Sequence, residues 1–238
     1  MNNTVHFILQ GKGGIGKSFV ASLLAQYIKD HINEQLLCFD TDQENTTFAH
    51  YKDLNVKHIH VMNNDRTINR KMFDSMMEGI LSSDENIVID NGANTFSPLM
   101  AYIIENGVIE MLRDMGKKVF IHTIVGGGDT LKDTTSGFVS VSSSTQAPLI
   151  IWLNEHFGST GNFSESRDFK DNAKNVRDII NLQQRNADTF GDDIKRMNTA
   201  RKTLKEVLES DKFTIMEKQR IKTVMRDVFQ QLDEVEWQ

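Results

Sequence analysis

Residues 10–18 read Gln-Gly-Lys-Gly-Gly-Ile-Gly-Lys-Ser, and this stretch decides the fold. It fits the phosphate-loop template, in which a glycine is followed by four residues and then by Gly-Lys-Ser. A short apolar run at 5–9 precedes the template, and apolar residues with helical spacing follow it at 19–28. The sequence therefore predicts a strand, a phosphate-binding loop and a helix, in that order.

The residue types of this loop match the chemistry of a bound polyphosphate. Glycines leave the backbone N–H groups open to the phosphates, and the following helix directs its positive N-terminal end at the anion. Lys17 supplies charge to the outer phosphates, and the Ser18 hydroxyl can ligate Mg²⁺. The alternative is a glycine-rich turn without a ligand. The predicted nucleotide contacts are Gly11, Lys12, Gly13, Gly14, Ile15, Gly16, Lys17, Ser18 and Phe19.

A second lysine narrows the class of phosphate loop. Lys12 comes directly after the first glycine, five positions before Lys17. The pattern resembles the deviant phosphate loop of the ParA/MinD family of dimeric ATPases. This resemblance implies ATP and Mg²⁺ as cofactors, an ATP-dependent homodimer, and a catalytic Lys12 that reaches the partner's nucleotide. The alternative for Lys12 is a solvated loop lysine.

Length and composition limit the classes of protein. A chain of 238 residues suits one α/β domain with a continuous core. The net charge of −6 gives no support to DNA binding through a general basic field. The single cysteine, Cys38, excludes a disulfide within the monomer. Since we find neither a signal-peptide pattern nor a membrane-length apolar run, we expect a cytoplasmic protein.

A polar segment beginning with Asp40, Thr41 and Asp42 follows a second apolar run at 35–39. Parallel strands deliver such groups to the carboxyl edge of a sheet. The segment resembles the switch region of the ParA/MinD family. That resemblance implies that Asp42 positions the attacking water and influences magnesium, with Asp40 in support. The Pro-Gln pair common after the second aspartate in ParA relatives is missing here, and the alternative is a carboxylate pair in a solvated loop.

The apolar run at 86–89 ends in Asp90, and Gly92 follows closely. A carboxylate at the end of such a strand is the expected second half of a phosphate-loop site, where it holds the magnesium hydration shell. We therefore predict Ser18, Asp42 and Asp90 as the metal-binding residues. Many buried strands end in Asp, so the prediction for Asp90 depends on the presence of a phosphate loop earlier in the chain.

Two further strands are predicted at 117–125 and 147–154, the first followed by a triple glycine at 126–128. Asn154 ends the second strand. By resemblance to the ParA/MinD family, it hydrogen-bonds the adenine; an ordinary turn asparagine is the alternative. The alternation of strands and helices predicts a doubly wound, mostly parallel sheet flanked by helices, as in SIMIBI-like P-loop NTPases.

From residue 158 the composition becomes polar and helical, which predicts a nucleotide-binding core at 1–157 and a C-terminal helical segment at 158–238. We predict a short helix around 179–182, one helix over 192–210 and a last helix over 214–237. In MinD relatives a C-terminal amphipathic helix binds membrane. Acidic residues surround the apolar stripe here, which favours a docked helix or a partner contact.

Within the ParA/MinD family the chain is most similar to the plasmid-borne TraL-type proteins and their StbB-like relatives. The opening strand and loop, Asp-Thr-Asp followed by Thr-Thr-Phe, and the triple glycine carry this resemblance. It implies an ATP-hydrolysing dimeric switch in conjugative transfer or plasmid maintenance, with a conjugation or partition protein as partner. The alternatives are an ATP-dependent ligase that shares the loop and a nucleotide-binding module without turnover.

Overall fold

The structure is a computed structural model that describes residues 1–65 and 67–238. Within those residues it contains seven strands and nine α-helices. The strands are β1 (Thr4–Ile8), β2 (Leu36–Asp40), β3 (Lys57–His58), β4 (Asn86–Asp90), β5 (Lys118–Gly126), β6 (Leu149–Asn154) and β7 (Val176–Leu182). The helices are α1 (Lys17–Gln26), α2 (Asp74–Leu81), α3 (Phe96–Glu105), α4 (Val108–Asp114), α5 (Leu131–Ser144), α6 (Arg167–Asn172), α7 (Asp192–Thr199), α8 (Leu204–Glu209) and α9 (Ile215–Glu234).

The strands form one sheet in the order β3-β2-β4-β1-β5-β6-β7, and every neighbouring pair is parallel. Successive side chains of a strand point to opposite faces, so the sheet has two cores. Val5 and Phe7 of β1 enter the core that α2 to α6 cover, whereas Ile8 enters the core that α1 and α7 to α9 cover. The prediction of a doubly wound, mostly parallel sheet is confirmed.

The phosphate loop lies at the carboxyl edge of the sheet centre. β1 lies between β4 and β5, and Ile8 is in register with Asp90. Asp90 is also in register with Asp40 of β2. Because parallel strands end at the same edge, the loop after β1 and the carboxylates that end β2 and β4 come together in space.

A buried chain of hydrogen bonds crosses the sheet beneath this edge. The indole N–H of Trp152 donates to Nδ1 of His122 (3.0 Å), and His122 Nε2 lies 2.9 Å from Nδ1 of His6. His6 Nε2 lies 2.8 Å from the Thr4 hydroxyl, which donates to the Asn86 side-chain carbonyl (2.7 Å). Since the indole can only donate, every bond has one direction and both imidazoles are neutral. Burial lowers the pKa of His122 to about 3 and that of His6 well below its usual range.

The C-terminal segment differs from two of the predictions. The helix predicted around 179–182 is wrong, because Val176–Leu182 forms β7 and pairs with β6. The edge of β6 offered a row of backbone groups that a nearby Val/Ile-rich run could pair with, a long-range contact that local periodicity does not report. The division into a core at 1–157 and a segment at 158–238 stays a prediction.

The single helix predicted over 192–210 is also wrong, because the structure has α7 and α8 there. Arg201 between them has a φ of 51°, which ends helical geometry, and Thr203 then caps α8 in a reciprocal pair with Glu206. The last predicted helix is confirmed as α9, which Thr214 and Glu217 cap in the same way. None of the described helices is both long and apolar enough to cross a bilayer.

Candidate nucleotide-binding site

The phosphate loop has the predicted strand–loop–helix context. It connects β1 to α1, which begins at Lys17. Gly16 precedes the helix with a φ of 100°, and Gly14 has a φ of 72°, backbone conformations that residues with a Cβ rarely adopt. A Cβ on Gly16 would also lie 3.1 Å from the Asn154 amide nitrogen. Glycine is therefore required at position 16 by both backbone conformation and space.

The Lys17 side chain folds back over the loop. Its ammonium donates to the carbonyl oxygen of Lys12 at 2.9 Å, and the residue is only 7% exposed. Burial lowers the pKa of Lys17, whereas the nearby Asp90 and Asp42 carboxylates raise it. A phosphate oxygen is a stronger acceptor for an ammonium than a neutral carbonyl, so the same side chain can turn to a bound anion.

Asp90 is the most unusual group of the site. It is 1% exposed, and neither of its carboxylate oxygens has a hydrogen-bond partner. Burial and the neighbouring Asp40 raise the pKa of Asp90 to about 8, against the lowering effect of Ser18 and Lys17. An unpartnered buried carboxylate is costly unless a cation compensates it. These two orphaned oxygens beside a serine hydroxyl fit the predicted Mg²⁺.

Asp40 is held differently from its neighbour Asp90. Its two oxygens accept the backbone N–H groups of Asp42 and Ala49, both at 2.9 Å. Burial raises the pKa of Asp40, and these two hydrogen bonds lower it. Asp40 therefore fixes the backbone that carries Asp42, and its supporting role in catalysis stays a prediction.

Asp42 lies at the point where two loops meet. Its Oδ1 accepts the backbone N–H groups of Glu44 (2.9 Å) and Asn45 (3.0 Å), which shapes the loop after β2. A Cβ on Gly92 would lie 2.9 Å from the Asp42 Cα, so the loop after β4 touches it closely. A shift in one of these loops must therefore move the other.

Magnesium sites in nucleotide-binding proteins usually have few protein ligands. In the part of the chain that the structure describes, no three His, Cys, Asp or Glu side chains are grouped to hold a metal ion. Mg²⁺ is ordinarily bound by one or two carboxylates together with substrate phosphates and water. Ser18, Asp42 and Asp90 at one edge match that pattern, and their ligation stays a prediction.

Lys12 contacts its own subunit in this structure. Its ammonium forms an ion pair with Asp133 of α5 at 2.7 Å, and the two side chains are 40% and 56% exposed. Lys12 and Lys17 therefore take different partners, one in the first turns of α5 and one inside the loop. The reach of Lys12 to a partner's nucleotide stays a prediction.

Asn154 fastens the loop to β6. Its amide nitrogen donates to the carbonyl oxygen of Ile15 at 3.0 Å, and its oxygen accepts the backbone N–H of His156 at 3.1 Å. The residue is 6% exposed. Both ends of the side chain thus have protein partners, and a contact with adenine stays a prediction that requires the amide to exchange one of them.

Gln10 is a residue of the site that the sequence patterns did not single out. It is 1% exposed, and its amide nitrogen donates to the carbonyl oxygens of Ile124 (2.8 Å) and Thr134 (3.1 Å). Gly137 leaves the space, because a Cβ there would overlap the Gln10 amide. A polar residue directly between a buried strand and the loop is the signal that could have identified it.

The triple glycine packs against the loop after β6. A Cβ on Gly127 would overlap the Gly158 carbonyl group, and one on Gly128 would overlap the Phe157 carbonyl oxygen. A Cβ on Gly126 would lie 3.1 Å from Ile15 of the phosphate loop. The three glycines therefore allow two backbone segments to approach behind the phosphate loop.

Comparisons with known proteins identify the family and the fold. No family model matches the chain. Two relatives, both called Protein TraL and both from Escherichia coli, are 40% identical over 235 residues, which cover 96% of this chain and 97% of theirs. The fold is similar to the MinC:MinD cell division protein complex of Aquifex aeolicus (TM-score 0.55, 12% identity, 98% and 97% of the two chains). It is also similar to a ParA family ATPase from Chlorobium tepidum TLS (TM-score 0.52, 13% identity, 94% and 98%).

These likenesses differ in what they show. The solved structures share 12–13% of their sequence with this chain, so they show the fold, which is that of the MinD and ParA P-loop proteins. The TraL relatives align over nearly the full length at 40% identity. The chain therefore belongs to the TraL family, and its fold is the P-loop NTPase fold of the MinD and ParA proteins.

Proposed function

We propose that this TraL-family chain is a Mg²⁺-dependent ATPase that works as an ATP-dependent dimeric switch in plasmid conjugative transfer or maintenance. The observation that carries the proposal is Asp90, a buried carboxylate without a partner beside Lys17 and the phosphate loop. Such a group destabilises the protein unless it serves a bound cation. A magnesium nucleotide would supply that cation together with phosphate oxygens that accept hydrogen bonds from the loop amides.

The residues of the site divide the work of hydrolysis. The loop amides and Lys17 bind the phosphates and offset the charge that develops on the transferring phosphoryl group. Ser18 and Asp90 would hold the metal, which would neutralise phosphate charge and orient the γ-phosphate. Asp42 positions the attacking water, and its backbone is fixed by Asp40. The reaction is an in-line attack of water that releases ADP and phosphate.

A switch requires that ATP and ADP favour different states of the protein. We propose that ATP favours a dimer in which Lys12 of each subunit contacts the nucleotide of the other, and that hydrolysis releases it. Support comes from the Lys12 side chain, which is 40% exposed, and from the fold shared with a MinD protein and a ParA family ATPase. A conjugation or partition protein is the proposed partner.

Asp42→Ala tests the enzymatic part. We expect ATP binding, measured by calorimetry with Mg²⁺, to survive and ADP release to fall by at least about tenfold, because the water loses its positioning group. Glu44→Ala is the matched control, since Glu44 is an exposed carboxylate in the same loop. Equal ADP release from wild type and Asp42→Ala would contradict the role of Asp42.

Wild-type behaviour separates the alternative functions. A protein that binds ATP but releases no ADP is a nucleotide-binding module, and one that releases ADP only with a carboxylate acceptor present is a ligase. A protein that ignores adenine nucleotides at millimolar concentration with Mg²⁺ would refute the proposal as a whole.

Lys12→Ala tests the switch. We expect the variant to keep nucleotide but to lose the dimer that a non-hydrolysable ATP analogue induces in wild type. Light scattering with the analogue and with ADP measures the mass of each species. Lys132→Ala is the control, because Lys132 is an exposed lysine close by in the first turn of α5. Identical masses for wild type and Lys12→Ala would remove the trans role of Lys12.

A further inference from the structure

We infer that Asp133 is a positioning residue that holds Lys12 on its own subunit and thereby opposes the ATP-bound dimer. The inference rests on the proposed function, since it concerns the lysine that the switch sends to the partner's nucleotide. The observation is the 2.7 Å ion pair between the Lys12 ammonium and the Asp133 carboxylate within one subunit.

The backbone around this ion pair is fixed on both sides. Gln10, two residues before Lys12, donates to the carbonyl oxygen of Thr134, the residue after Asp133. The side-chain oxygen of Gln10 also accepts the backbone N–H of Lys12 at 3.4 Å. The start of the phosphate loop and the first turn of α5 are thus held together. This keeps the Lys12 side chain within reach of the Asp133 carboxylate.

The ion pair is present at neutral pH and is easily exchanged. The Lys12 hydrogen bond and charge lower the pKa of Asp133, with a smaller contribution from Lys132, so the carboxylate is ionised. Exposed ion pairs contribute little stability, because water solvates both charges well. A partner's polyphosphate carries several negative charges and can therefore take Lys12 away from Asp133.

This competition predicts the direction in which Asp133 acts. In the free subunit Lys12 is paired with Asp133, and in the proposed dimer it is paired with the partner's phosphate. Dimerisation breaks two such ion pairs, one in each subunit. Removing the carboxylate takes away this cost, so a variant without it dimerises more readily at the same nucleotide concentration.

Asp133→Asn is the test. We expect its dimer dissociation constant with a non-hydrolysable ATP analogue to fall by about two- to tenfold relative to wild type, as the small strength of exposed ion pairs allows. Analytical ultracentrifugation over a protein dilution series measures it. Asp129→Asn is the matched control, because Asp129 is an exposed carboxylate just before α5 and makes the same charge change. Asp133→Glu keeps the carboxylate, and we expect it to restore most of the wild-type value.

Two readouts distinguish positioning of Lys12 from a structural role. The difference between Asp133→Asn and wild type should shrink as salt is raised, because screening weakens exposed charge pairs. The second readout is the reactivity of the Lys12 amine in the nucleotide-free monomer, because Lys12→Ala removes the dimer itself and leaves no dissociation constant to compare. If the Asp133→Asn dimer is stronger but its Lys12 amine reacts no faster than in wild type, the inference is overturned.

The outcomes separate this inference from the proposed function. Labelling of the Lys12 amine in the nucleotide-free monomer reports the ion pair directly, and we expect faster labelling in Asp133→Asn. A wild type that stays monomeric with the analogue refutes the proposed switch, whatever the labelling shows. A wild type that dimerises while Asp133→Asn dimerises equally or more weakly overturns the role of Asp133 alone.

Discussion

The buried His6–His122 pair makes the protein sensitive to acid in a way that can be calculated. Both imidazoles are neutral in the folded protein, with the pKa of His122 lowered to about 3 and that of His6 also lowered. In the unfolded chain a histidine has a pKa of about 6.5. Once the pH falls below about 6.5, the unfolded state therefore binds protons that the folded state does not bind. The free energy of unfolding decreases from there down to the folded pKa.

The size of the loss follows from the proton count. Between pH 7.5 and pH 5.5 the two histidines together lower the free energy of unfolding by about 3 kcal/mol, because at the lower pH each binds nearly one more proton in the unfolded state than in the folded state. Asp90 acts in the opposite direction, because its folded pKa of about 8 lies above the unfolded value. The pH dependence of wild type alone is therefore a sum of opposing contributions, and a variant without titrating groups in the pair is needed.

His6→Gln/His122→Gln is that variant. A glutamine oxygen can accept the indole N–H of Trp152. The glutamine NH₂ groups can then donate along the same path as far as the Thr4 hydroxyl. Urea titration at pH 7.5 and 5.5 measures the free energy of unfolding, and we expect wild type to lose about 3 kcal/mol more than the variant between these pH values. Asp90 is common to both proteins, so its contribution cancels.

His60→Gln serves as the control, because His60 is exposed and lies outside the chain of hydrogen bonds. The free energy of unfolding of this variant should change between pH 7.5 and 5.5 by nearly as much as that of wild type. If the double variant and wild type show the same change between pH 7.5 and 5.5, the reasoning from buried neutral imidazoles is wrong.

Three further predictions concern stability. Gly127→Ala should cost about 1–3 kcal/mol, because its Cβ would overlap the Gly158 carbonyl group, and urea unfolding at wild-type level would contradict that packing. Thr214→Ala removes the cap of α9 and should cost about 1 kcal/mol in the same assay, whereas Thr223→Ala inside the helix should not. Trp237→Ala, which takes away the ring against His6 and Phe120, should cost about 2 kcal/mol, and an unchanged midpoint would refute its packing role.

Local patterns were sufficient for most of the central sheet. The runs before Gly11, Asp40 and Asp90 are short, apolar and bounded by polar or glycine residues, and each is a strand in the structure. Strands of this kind are buried on both faces of the sheet, so they appear in the sequence as short, continuous apolar runs. The apolar spacing that predicted the last helix is likewise local, and in the structure Thr214 and Glu217 cap that helix.

The C-terminal segment shows where local patterns fail. Ile179 and Ile180 are compatible with a helix as well as with a strand. They form a strand because they pair with the edge of β6. Arg201 ends a helical pattern that the apolar spacing alone would continue. Pairing with a distant strand and a single backbone conformation are not properties of a sequence window.

By itself the sequence determined the order of strand, phosphate loop and helix, and the carboxylates that end β2 and β4, because those depend on residues close along the chain. Only the tertiary structure decided what these groups touch. Lys12 pairs with Asp133 and Asn154 bonds Ile15 because the parallel sheet brings residues more than a hundred positions apart to one edge. The burial that leaves Asp90 without a partner has the same origin, since only the packed sheet can exclude water from a carboxylate.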